Sequence, residues 1–181
     1  MKVKESVLLP KKRYELLLNN SKIRLHYEEV CEVIVNFEKD LIITLEGEAD
    51  KVFFAKTVLE AFAKGFGMKT ALKILTKDYS YRIINLKEFG KNANSLRRIK
   101  GRIIGKNGKA KKTIERLTNC KIIVKEKKVA IIGPGEDIED ANESILGIIE
   151  GKKHSTIYSI LETKNKNKKL SSNFWITNKK D

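Results

Sequence analysis

The chain has 181 residues, 41% of them apolar and 34% charged, with a formal net charge of +15. That is enough for one medium domain or two small ones with a buried core. No apolar run follows a basic start and no window approaches eighteen consecutive apolar residues, so neither a signal peptide nor a membrane span is expected, and the reading is a cytosolic protein with no membrane partner. Cys31 and Cys120 have no C-x-x-C partner and no clustered histidine, which argues against a metal site or a disulfide frame and makes both small core residues.

In chain order, Glu5–Leu9 reads as a strand closed by Pro10, and Lys12–Leu18 as a short amphipathic helix. After the polar turn Asn19–Lys22, Ile23–Val30 forms a second helix with Ile23, Tyr27 and Val30 facing inward. Strands Glu32–Phe37 and Leu41–Leu45 make a hairpin that Gly47 ends. Asp50 then caps a long helix reaching Lys64, apolar at Val52, Phe53, Val58, Leu59 and Phe62 and stopped by Gly65. Met68–Thr76 reads as a linking helix.

The same order of strand, helix, turn, helix, strand, strand, helix recurs in the second half, the mark of an internal repeat. Its elements are Arg82–Phe89, Ala93–Ile104, Ala110–Thr118, a strand after Cys120, Val129–Ile132 and Ile138–Glu150. Cys31-Glu32-Val33-Ile34-Val35 aligns with Cys120-Lys121-Ile122-Ile123-Val124, and the last helices run Ala55–Gly65 and Ala141–Gly151. Glu136, Asp137, Glu139 and Asp140 suit the positive end of the last helix, a capping role and not a catalytic one. His154–Glu162 is a further short helix. Residues 152–181 carry 8 basic and 2 acidic side chains with no apolar period, which predicts a tail disordered until bound. Phe174 and Trp175 interrupt that tail, either as an anchor for a partner or as a contact with the body.

Charge separates the halves. Residues 1–67 hold 11 Lys/Arg and 11 Asp/Glu, whereas residues 97–128 hold 13 basic and 2 acidic side chains. Such a cluster concentrates polyanions and gives salt-dependent binding to nucleic acid. At its centre, Gly105 and Gly108 bracket Lys106 and Asn107 between two helices. Without a Cβ at either end, backbone amides can approach a phosphate, and the following helix turns its orphan N–H groups and positive end toward the same place. The expected contacts are Gly105, Lys106, Asn107, Gly108 and Lys109, with Arg97, Arg98, Lys100, Arg102 and Lys112 around them. Ile103, Ile104, Ile122 and Ile123 are expected as an apolar floor for unstacked bases. A P-loop is excluded because only three residues separate Gly101 from Gly105 and Asn107 follows Lys106. The first half has Asn19-Asn20-Ser21-Lys22 at the matching place, with no glycine and a following helix about three residues shorter. It should grip phosphate poorly and serve as a scaffold or protein contact.

Two glycines spaced this way in a basic helix–turn–helix are what a KH domain uses to clamp about four nucleotides of single strand. Over about residues 5–163 the chain resembles the archaeal two-KH proteins related to the eukaryotic Partner-of-Nob (Pno) and Krr ribosome-biogenesis factors. The specific run is Arg98-Ile99-Lys100-Gly101-Arg102-Ile103-Ile104-Gly105-Lys106-Asn107-Gly108-Lys109, supported by Val129–Gly133 and by Gly151-Lys152-Lys153-His154 with Tyr158 and Leu161-Glu162. The resemblance implies an α+β fold of two tandem type I KH domains, each β-α-α-β-β-α with a three-stranded sheet backed by three helices, plus a short C-terminal helix and a polar tail. Its parts would be residues 1–67 (first KH domain, without the glycine turn), 68–78 (link), 79–163 (second KH domain) and 164–181 (basic tail). It also implies binding to small-subunit ribosomal RNA near its 3′ end, with the Nob endonuclease and the alpha subunit of initiation factor two as partners. The Asn-rich stretch after Lys164 departs from the compact ending of that family. No cofactor is expected. A nuclease would need converging acids or a histidine acid–base pair, and the only histidines are His26 and His154. A KH module acting on messenger or transfer RNA is the alternative.

Overall fold

The computed structural model describes residues 1–177, with side chains placed through residue 170. It forms two compact units, Met1–Tyr79 and Ser80 onward. The first contains β1 (Lys2–Leu8), α1 (Lys11–Asn19), α2 (Ser21–Cys31), β2 (Ile34–Phe37), β3 (Ile42–Glu48), α3 (Ala49–Lys64) and α4 (Met68–Ala71), the last running into a 3-10 turn at Leu72–Leu75. Its antiparallel sheet has the order β1-β3-β2, with Val7 opposite Ile43 and Val35 opposite Leu45. Those inward residues meet Tyr27, Val52, Leu59 and Phe62 in the core.

Several local expectations change here. Gly47 lies inside β3, opposite Val3, because pairing with β1 carries the strand past the hairpin. Asp50 sits in the first turn of α3 and not at its cap, Glu48, which makes no side-chain capping bond. Tyr27 and Cys31, four residues apart, hold the inner face of α2 and leave Val30 exposed. Phe53 is 66% exposed because Val52, Ala55, Val58, Leu59 and Phe62 already fill the inner face of α3. Both cysteines are buried and free.

The second unit contains β4 (Tyr79–Asn85), α5 (Ala93–Ile104), α6 (Lys109–Thr118), β5 (Lys121–Lys125), β6 (Lys128–Pro134), α7 (Gly135–Glu150) and α8 (His154–Thr177). β6 is central in the order β4-β6-β5, and Ile122 faces Ile131 across the β5–β6 ladder. One apolar cluster joins Ile103, Ile114, Ile122, Ile131, Ile145, Ile148, Ile157 and Leu161. Both units thus share one element order, and α3 and α7 each span 16 residues before a glycine with positive φ, Gly65 and Gly151. The cysteine alignment is two residues out of step. Cys31 ends α2, whereas Cys120 follows α6, and the matching pairs are Val35 and Ile122, each of whose N–H groups donates to a glutamate seven residues earlier (Glu28, 2.9 Å; Glu115, 2.8 Å).

The tail forms structure where composition predicts none. α8 is one helix of 24 residues. Ile157 and Leu161 anchor its start in the core, and beyond them polar groups take over. Lys164 binds Asp140 at 2.6 Å and Glu143 at 2.9 Å, Lys168 binds Asp137 at 2.7 Å and Asp140 at 2.9 Å, and the Asn165 amide donates to the Leu117 carbonyl at 2.7 Å. Asp137, Asp140 and Glu143 of α7 are therefore a docking strip for α8, while Glu139 pairs with Arg82; Glu136 and Asp137 stand in the first turn at the positive end of the helix, whose cap residue Pro134 makes no side-chain bond. The side chains of Phe174 and Trp175 lie outside the described residues.

Burial by itself raises the Asp140 carboxyl, but hydrogen bonds and charge from Lys164 and Lys168 outweigh it, so its pKa lies below the ordinary value. A carboxyl with a depressed folded pKa adds stability above its unfolded value of about 4 and loses it as pH falls through the folded value. Acidification from about pH 5 to about pH 2 should therefore free the 164–168 turn of α8. The check is the helical NMR shifts of that turn, which should collapse while β5 and β6 keep theirs; unchanged shifts would mean that Ile157 and Leu161 hold the helix alone.

Candidate nucleic-acid interface

α5 begins with a reciprocal cap: the Ser95 N–H donates to Asn92 Oδ1 at 2.9 Å and the Asn92 N–H to Ser95 Oγ at 3.3 Å. Leu96 and Ile103 are buried, which turns Arg97, Arg98 and Gly101 out to solvent. The helix stops at Gly105, whose N–H still reaches the Gly101 carbonyl at 2.8 Å while its φ of 73° and ψ of 175° leave the helical region. Lys106–Gly108 is a single 3-10 turn, closed by the Gly108 N–H on the Gly105 carbonyl at 3.1 Å. Asn107 (φ 52°) and Gly108 (φ 75°) are both left-handed, a conformation that asparagine and glycine adopt most readily.

The two glycines differ in role. A Cβ on Gly105 would lie 2.6 Å from the Ala110 Cβ and 2.8 Å from its nitrogen, so this backbone is pressed onto α6. A Cβ on Gly108 would meet nothing within 4 Å. The open side of the corner is thus at Gly108, beside the first turn of α6, which has no side-chain cap. Lys106 and Lys109 flank it, exposed. Among the described residues, none of Arg97, Arg98, Lys100, Lys106, Lys109 and Lys112 has an ion-pair partner. Of the two acids in the stretch, Glu115 is occupied, binding Lys111 at 3.1 Å and the Ile122 N–H at 2.8 Å.

Other expected residues are reassigned. Arg102 is half-buried and turned toward the loop before α8: its Nη2 donates to the Lys152 carbonyl at 3.0 Å, and His154 Nε2 contacts the Arg102 carbonyl at 2.8 Å. That bond braces the last turn of α5. Ile103 and Ile122 are fully buried and unable to reach a base. Ile123 alternates with Ile122 and points from the sheet face opposite α5 and α6. What remains of the apolar floor is half-buried Ile104, joined by Ile99 and Val124, which pack at the edge of the core cluster. Ile99 stands four residues before Ile103 and Val124 two after Ile122, so placing the buried pair finds both. Lys112 lies one turn along α6, exposed on its outer face.

The first unit closes its equivalent corner with its own side chain. Asn20 Oδ1 accepts the Ile23 N–H at 3.2 Å at the start of α2, where the second unit has only glycine. The helix after it is not shortened, at 11 residues against 10 for α6.

The model of the second KH domain of Pno1, described as a eukaryotic-type (type I) KH domain, matches residues 80–166. The KH domain-containing protein MJ0443 of Methanocaldococcus jannaschii is 31% identical over 165 residues, covering 87% of this chain and 72% of that protein. The pre-rRNA-processing protein PNO1 of Chaetomium thermophilum is 35% identical over 106 residues, 57% of this chain; the chain spans 41% of that protein's length. Among solved structures, a protein of unknown function from Aeropyrum pernix matches at a TM-score of 0.81 and 28% identity over 98% of this chain and 99% of that one. Dim2p in the a/eIF2alpha–aDim2p–rRNA complex of Pyrococcus horikoshii matches at 0.78 and 26% identity over 92% and 96%. The corner at Gly105–Gly108 falls within the matched domain, the archaeal likeness runs through both units, and the chain belongs to the family of Pno1-type KH-domain proteins.

Proposed function

We propose that this chain is a non-catalytic, cytoplasmic RNA-binding protein of small-ribosomal-subunit assembly, which holds single-stranded ribosomal RNA near its 3′ end through the second unit. The observation that carries this reading is the open left-handed corner at Asn107–Gly108, set beside cations that have no ion-pair partner among the described residues. Gly105–Gly108 and Lys109 hold the sugar–phosphate backbone. Arg97, Arg98 and Lys100 add charge from α5, and Ile99, Ile104 and Val124 support the bases.

In this reading the chain is a tandem of type I KH domains. The first covers residues 1–67, with 68–78 as the link; the second covers 79–163 and is prolonged by the rest of α8. The self-capped, charge-balanced first unit contacts protein and not RNA. Partners are small-subunit rRNA and the alpha subunit of initiation factor two, the companions of Dim2p in the Pyrococcus complex, together with the Nob endonuclease that the family resemblance implies.

Photo-crosslinkers at Lys106 and Lys109 in cells test this directly. The expected product is small-subunit rRNA close to its 3′ end. Crosslinks spread over messenger or transfer RNA would replace the ribosomal reading with that of a general RNA-binding module.

A further inference from the structure

The charged face of α6 continues past the corner. Ile114 and Leu117 turn inward, and Lys109, Lys112, Thr113 and Arg116, at spacings of three, four and seven residues, form a stripe along the outside of the helix. With Asn107 they line an open depression of about 350 Å³ that contains no acidic and no apolar side chain. Lys112 and Arg116 are exposed and have no ion-pair partner among the described residues, while Glu115, the only acid of α6, is occupied on the other side by Lys111 and Ile122. Seven residues of helix extend about 10 Å. The depression starts at Asn107 and Lys109, which belong to the proposed clamp, and leads away from it.

We propose that this stripe is a second backbone track, on which the same RNA strand continues after leaving the corner. The inference rests on the RNA-clamp reading and extends it. The lining favours a sugar–phosphate chain over a protein partner, because a protein interface needs an apolar or aromatic centre and this depression offers only cations, an amide and a hydroxyl. No aromatic side chain lies there to stack a base, so charge dominates the track, and its contribution depends on RNA length and on salt.

The test uses the full chain and two RNAs from the 3′ end of the small-subunit rRNA, a core of about six nucleotides and the same core extended to about twenty, each titrated by fluorescence anisotropy at several salt concentrations. Wild type should bind the longer RNA more tightly. Arg116→Glu should lower affinity for the long RNA about tenfold and reduce its salt slope by about 0.7, and Lys112→Glu/Arg116→Glu should double the change in slope. Affinity of Arg116→Glu for the short core should stay within about twofold of wild type, since charges more than about 8 Å apart are screened at physiological salt. Equal losses on both RNAs would place Arg116 in the clamp and overturn the track. Wild-type binding of the long RNA by Arg116→Glu would also overturn it and leave the stripe to an acidic protein. If wild type bound neither RNA, the clamp reading itself would fail and the track with it.

Discussion

Replacing Gly108 by aspartate is expected to lower affinity for single-stranded RNA at least about tenfold, about 1.4 kcal/mol, with little loss of stability. The site is open: a Cβ there meets no atom within 4 Å, so no steric cost arises inside the fold. The φ of 75° disfavours a side chain, yet aspartate and asparagine are the non-glycine residues that tolerate it best, and the strain should stay within about 1 kcal/mol. Binding suffers for two reasons. The new side chain occupies the space through which a phosphate would approach the amides, and its charge opposes the field of Lys106 and Lys109. Gly108→Asn carries the same backbone strain without the charge, so its affinity should fall between wild type and Gly108→Asp. Titration with RNA beside thermal melts of the second unit checks this; if binding and stability fell together in both variants, the glycine would be structural.

Gly105→Ala should do the reverse. Here φ is 73° and ψ is 175°, a region that only glycine occupies comfortably, and the added carbon would sit 2.6 Å from the Ala110 Cβ and 2.8 Å from the Ala110 nitrogen. Backbone strain of about 1–3 kcal/mol and overpacking of a similar size should bring the total to about 2–4 kcal/mol. Urea unfolding of the second unit reads the loss directly, and RNA binding should fall only as the folded fraction falls. Ala110→Gly in the same chain removes one of the two clashing atoms and should restore part of the stability. A variant that unfolds like wild type would show that the corner is not pressed onto α6. Together the two substitutions separate the glycine that shapes the turn from the one that leaves it open.

Much of the frame was legible because its signals are local. Asn92 and Ser95 begin α5 and Gly105 ends it, and the predicted span Ala93–Ile104 is the observed one. Gly65 and Gly151 stop their helices because a positive φ there cannot continue one. The charge imbalance between the halves and the glycine turn needed only counting and spacing. The four isoleucines were harder. Apolar character marks a residue for burial or for an exposed platform alike, and only the facing of α5 against β5 sorted Ile103 and Ile122 into the core and Ile123 onto the opposite face of the sheet.

What the sequence by itself determined, then, is the order of elements, the place of the corner and the sign of the field around it, because caps, glycine dihedrals and charge act over a few residues. Which groups remain available to a ligand was decided by packing between elements far apart in the chain. Arg102 is turned toward the Lys152 carbonyl 50 residues away, and Lys164 and Lys168 are taken by acids of α7 more than twenty residues earlier, which turns a stretch that reads as disordered into helix. Lys106, Lys109, Lys112 and Arg116 come from the same composition, yet among the described residues none of them forms an ion pair once the fold is complete. Whether a cation keeps a counter-charge of its own is a property of tertiary structure.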